Sequence, residues 1–128
     1  MTATGQSVYL EIPISEEYAH LLRLMVSGIA SRMNFNLDAV DDLKIAVEEA
    51  YLMAISCCFG ASQGINFNNT EKGLEIIFKN LIRPREDLEE NQRRELDYGL
   101  FIIKAVVDEM EVTAAESGSD LRLVKYLK

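Results

Sequence analysis

Tryptophan is absent from this chain, histidine occurs once, and cysteine occurs twice, at the adjacent positions 57 and 58. Neighbouring cysteines on a helix point in different directions and cannot bridge without severe strain. A reduced, cytoplasmic setting is therefore expected. His20 lies far from both cysteines in sequence, so no zinc site is expected and no metal ligand set is assigned. Two prolines and seven glycines leave no room for a low-complexity linker. No run of about 18 apolar residues exists to span a membrane. The opening "MTATGQSV" lacks a basic segment followed by an apolar run, so no signal peptide is expected. Basic residues are also scarce, 13 against 21 acids, for a net charge of −8. Nucleic acid and anionic membrane are excluded as expected partners, because binding to either rests on a basic surface. An acidic protein speeds encounter with a basic face on another protein.

What is present is an ordinary globular composition, 48% hydrophobic and 27% charged over 128 residues. That is enough for one domain, 1–128, with one core. "SVYLEIPI" alternates Val8, Leu10 and Ile12 against Tyr9 and Glu11, which predicts a strand ended by Pro13. Ser15 precedes a helix with an apolar face of Tyr18, Leu21, Leu22, Met25, Val26, Ile29 and Met33, and reads as its N-cap. "NFN" breaks the pattern. Asp38 opens a second helix predicted to run to about Phe59, with Gly60 as its stop. Ala46, Ala50 and Ala54 form a small-residue stripe along it. Ile65 and Phe67, the turn "TEKG", then Leu74, Ile76 and Phe78 predict a hairpin. "RPREDLEENQRRELD" reads as a solvated loop or exposed helix, and "YGLFIIKAVVDEM" as a buried helix. "EVTAAE", "SGSD" and "LRLVKYL" predict a final hairpin. The order β-α-α-β-β-α-β-β predicts an α+β two-layer sandwich. Its single sheet is expected to be mixed, mostly antiparallel, and covered on one face by about three helices.

Four segments carry a family resemblance: "LRLMVSGIASRM" (Leu22 to Met33), "DDLKIAVEEA" (Asp41 to Ala50), "VVDEMEV" (Val106 to Val112) and "VKYL" (Val124 to Leu127). Together the chain resembles the anti-sigma factors that are also serine kinases, close to the sigma-B-type switch protein. These belong to the GHKL (Bergerat-fold) ATPase superfamily, with histidine kinases and gyrase B. The likeness runs from about Val8 to Leu127. It implies a protein that holds an alternative sigma factor away from RNA polymerase. It also implies binding of an anti-anti-sigma (STAS-type) antagonist, which such proteins phosphorylate on serine with Mg-ATP. A homodimer through the first strand and helix is implied as well.

The resemblance assigns residues, and several depart from the family pattern. Glu49 stands at the position of the serine-activating base. Met53 stands where an asparagine should hold Mg²⁺, and a soft thioether is a poor ligand for that hard ion. Asn80 takes the place of the adenine-binding aspartate, while Ile82 and Pro84 replace glycines. In "ELDYGL" only Gly99 remains, with Leu96 and Asp97 at glycine positions. In "GSD" Asp120 replaces a threonine. The reading is a retained scaffold whose Mg-ATP chemistry is lost: Glu49 is vestigial, Asn80 and Gly99 are weakened, and Met53 fills the site. No cofactor is expected, or Mg-ATP if nucleotide binding survives. The alternatives are an active serine kinase and a scaffold that activates a partner enzyme. Arg23 on the first helix is implied as a partner contact. Cys57 and Cys58 read as small buried hydrophobes, not a redox switch.

Overall fold

The computed structural model describes residues 4–57, 60–115 and 117–128. The chain runs β1 (Ser7–Pro13), a 3-10 turn (Glu16–Tyr18), α1 (Ala19–Arg32), α2 (Leu37–Cys57), β2 (Ser62–Asn69) and β3 (Gly73–Ile82). A second 3-10 turn (Arg85–Asp87), α3 (Glu90–Val106), β4 (Glu109–Ala114) and β5 (Ser119–Tyr126) follow. The five strands form one sheet in the order β1-β2-β3-β5-β4.

All four pairings are antiparallel, where a mixed sheet was expected. A helical crossover such as α3 commonly joins adjacent parallel strands. Here β5 inserts between β3 and β4 and pairs antiparallel with both, so the two strands flanking the crossover never meet.

The register explains the core. Val8, Phe67, Ile76, Leu123 and Met110 align across the sheet, and Leu10, Ile65, Phe78 and Leu121 form the next row. These rows share a face, because side chains two apart on a strand point the same way. Phe67, Ile76, Phe78 and Leu121 are fully buried, as are Leu22, Val26, Ala46, Val47, Ala50 and Ile103 from the three helices. Each large side chain removed from water contributes roughly 1.5–3 kcal/mol. The opposite face carries an ionic lattice. Arg122 bonds Glu75 at 2.6 Å and Glu109 at 3.2 Å, and Lys72 reaches Glu109 at 3.1 Å. The "TEKG" turn closes the β2–β3 hairpin. Gly73, at φ 150°, has no space for a side chain there, since a Cβ would lie 2.1 Å from the Lys125 carbonyl oxygen.

The helix starts differ from the expectation. Ser15 caps a 3-10 turn without a side-chain bond, and α1 proper begins at Ala19. The Ser15 backbone is held instead by Tyr51, which is fully buried on α2. The Tyr51 hydroxyl accepts the Ser15 N–H at 3.0 Å and donates to the Pro13 carbonyl at 2.5 Å. It thereby pins the β1–α1 connection to the core. Tyr51→Phe strands a part-buried backbone donor, and the expected loss is about 1–3 kcal/mol in urea unfolding. Asn36, not Asp38, caps α2: its Oδ1 accepts the Ala39 N–H at 2.8 Å. α2 is described to Cys57; Cys58 and Phe59 lie outside the described residues. The second half of the charged segment, from Glu90, and "YGLFIIKAV" form a single amphipathic helix, and Glu109 and Met110 enter β4. The segment read as a buried helix therefore exposes Tyr98 and Phe101, and α3 as a whole buries one stripe of Leu96, Gly99 and Ile103.

Candidate functional site

Glu49 and Met53 are four apart on α2 and share one side of the helix. That side faces α3. Met53 is buried, and its methyl packs on Gly99: a Cβ at Gly99 would lie 2.6 Å from Met53 Cε. The absence of a side chain at Gly99 is what lets the methionine lie against α3. Beside this contact is a groove of about 550 Å³ lined by Glu49, Leu52, Met53, Ser56, Glu95 and Tyr98, among others. Its lining includes two acids and no base. Burial raises the Glu49 carboxyl above its ordinary range, and Glu48 beside it adds to the rise. Glu49 has no hydrogen-bond or ion-pair partner among the described residues.

The α3 side of the groove is built by the segment read from sequence as solvated. A capping box opens the helix: the Glu89 side chain accepts the Gln92 N–H, and Gln92 Oε1 accepts the Glu89 N–H at 2.9 Å. The Gln92 amide also donates to the Ser56 carbonyl at 3.1 Å, and Arg83 donates to the Cys57 carbonyl at 3.3 Å. These two bonds serve carbonyls in the last described turn of α2. Ser56 donates to Glu95 across the groove. Arg85 grips Asp97 through two bonds, at 2.8 and 3.3 Å, and this holds the Asp97 carboxyl below its ordinary range. Leu88 and Leu96 are buried beneath.

This arrangement has one chemical consequence. A helix presents free N–H donors only in its first four residues, and those donors are what a phosphate uses. α3 starts at Glu90, so Leu96, Asp97, Tyr98 and Gly99 lie in its interior. Their amides are bonded within the helix and do not face the groove as donors.

Asn80 is elsewhere. It sits at φ 54° in the irregular stretch of β3. Its N–H donates to Asp120 Oδ1 at 2.7 Å and its side-chain amide to Ser117 at 3.0 Å. Its own Oδ1 is buried without a partner among the described residues. The structure thus brings Asn80 and Asp120 together, and brings Glu49, Met53 and Gly99 together, but Asn80 and Asp120 are not among the residues lining the groove. Ile82 is buried.

Arg23 on α1 forms an ion pair with Glu48 on α2 and lies 3.2 Å from His20 Nδ1. Exposed Leu21 and Leu24 flank it. Cys57 is buried, and burial pushes its thiol up, away from reactive thiolate character. Sequence reading missed Gln92, Glu95 and Arg83. The first was accessible, since glutamine three residues after Glu89 is capping-box spacing. The other two act across elements, and no local pattern announces them.

No described helix is long and apolar enough to cross a membrane. Residues 12–125 match the family model of the histidine kinase-like ATPase domain. The chain is 32% identical to the serine-protein kinase RsbW of Bacillus pumilus, covering 99% of this chain and 90% of that one. It is 30% identical to the serine-protein kinase RsbW of Bacillus subtilis, covering 99% and 89%. Among solved structures, that of the RsbU and RsbW domains of Rv1364c from Mycobacterium tuberculosis superimposes with a TM-score of 0.66 at 11% identity. The likeness covers 96% of this chain and 35% of that one, and at this identity it speaks for the fold. The chain belongs to the histidine kinase-like ATPase domain family, among the relatives of the RsbW serine-protein kinases.

Proposed function

We propose that this protein is a regulator of the anti-sigma type in a partner-switching system, acting by binding and not by phosphorylation. It sequesters an alternative sigma factor, a STAS-type antagonist, or each in turn, and so controls transcription in the cytoplasm. The observation that carries the non-catalytic half is the unbroken run of α3 from Glu90 to Val106. Family membership supports the anti-sigma half.

The groove does not fit Mg-ATP. The residue at the metal-ligand position is a buried thioether packed on Gly99. The amides at positions 96–99 are used within the helix, and the lining adds two carboxylates where polyphosphate charge would have to sit. Glu49 keeps the position of a base without a metal ligand beside it, and phosphoryl transfer depends on that metal.

Arg23, with Leu21 and Leu24, is the surface proposed for the partner. A planar guanidinium gives a partner carboxylate two parallel donors, and Glu48 holds it in place beforehand. The same α1 surface and the β1 edge support a homodimer. The test is binding of purified sigma factors and STAS proteins encoded in the same genome, read by calorimetry. Micromolar binding of at least one is expected; no binding of any would overturn the reading.

A further inference from the structure

The α2–α3 groove keeps the features of a recognition site after losing those of a nucleotide site. Its walls are apolar and open. Leu52 is 43% exposed, Tyr98 66%, and Phe101, one turn further along α3, 73%. Glu49 stands at its edge, half-buried and without a cation among the described residues. Among the described residues, Glu95 bonds only the Ser56 hydroxyl. A half-withdrawn carboxylate in an apolar groove is costly unless a cation meets it.

We propose that this groove is a docking site for a basic, amphipathic segment of a partner protein. An apolar side chain of that segment lies between Leu52 and Tyr98, and a lysine or arginine ion-pairs with Glu49 and Glu95. Such a ligand supplies what the groove lacks, a positive charge, and covers what it exposes, an aromatic and aliphatic wall. A second copy of this chain is a poor occupant of this groove, because its own basic residues, 13 against 21 acids, offer no basic amphipathic segment to meet Glu49 and Glu95. An anionic lipid surface is repelled by the same acids. The inference rests on the reading that the groove does not hold Mg-ATP. It does not depend on which partner carries the segment.

The probe is a synthetic peptide of leucine and lysine, about 14 residues long, with leucines at helical spacing. It is titrated into the full-length, ¹⁵N-labelled protein, with a glutamate-for-lysine peptide and Mg-ATP as parallel titrants. The basic peptide is expected to shift amides of residues 49–57 and 95–101, and the acidic one to leave them unmoved. Glu49→Gln keeps the shape of the side chain and weakens the basic peptide about tenfold. Leu52→Lys, at an exposed position, abolishes the groove shifts. Equal binding of both peptides, shifts elsewhere on the surface, or indifference to Glu49→Gln would each overturn the proposal. Mg-ATP moving the groove amides would overturn it together with the non-catalytic reading. Failure of sigma factors and STAS proteins to bind the native chain would overturn the anti-sigma reading alone.

Discussion

Met53→Asn supplies the side chain that the resemblance assigns to Mg²⁺, yet it is expected to gain no Mg-ATP binding and to lose stability. Met53 is buried and packs on Gly99, so the substitution removes a long apolar side chain from a close-packed contact. That costs about 2–4 kcal/mol by analogy with other truncations of buried methionine, and an amide placed there without partners adds to the loss. The missing affinity has a separate cause. Positions 96–99 remain inside α3, whose start is fixed by the Glu89–Gln92 capping box and by the bonds from Gln92 and Arg83 to the end of α2. Restoring a ligand on α2 does not free donors on α3. Thermal melts and calorimetry of the variant check both halves. A stable Met53→Asn protein with saturable Mg-ATP binding would show that the metal ligand alone was missing.

The second large effect is expected at Arg23. Arg23→Ala lowers affinity for the cognate sigma factor by roughly 10–100-fold, the size of a charged hydrogen-bonding group removed from an interface. It leaves the fold nearly untouched. The Arg23–Glu48 pair is only part-buried, with side-chain exposures of 37% and 31%, and pairs near the surface contribute about 0–1 kcal/mol. Arg23→Lys retains the charge and loses the fork, so an intermediate affinity is expected. Affinity that follows thermal stability instead would assign Arg23 to the α1–α2 packing.

Much of this architecture is legible locally. Alternation in "SVYLEIP" and across the hairpins places the strands, because one face of the sheet is buried and the other open. The apolar spacing of α1 and α2 likewise records what they cover. Two features were not legible. All-antiparallel pairing depends on β5 choosing a place between β3 and β4, a non-local event. The unity of α3 was hidden because its first turns, "ENQRRE", carry no apolar residue. Those turns are held by polar bonds to Ser56 and Arg85 and by the single buried Leu96. A polar run with one buried side chain resembles a solvated loop. At the site, Glu49, Met53 and Gly99 were singled out through the resemblance; four-residue spacing puts Glu49 and Met53 on one side of α2, whereas the Met53–Gly99 contact comes from the packing of α3 on α2. Asn80 was placed with them only by that resemblance, and in the structure the β3 irregularity directs it to Ser117 and Asp120.

Calorimetric titration of the native protein with ATP, with and without Mg²⁺, decides whether the α2–α3 groove has lost the nucleotide. No saturable heat and no thermal stabilisation are expected at nucleotide concentrations on the order of 1 mM. Micromolar, Mg²⁺-dependent binding would contradict that loss and favour the serine-kinase alternative.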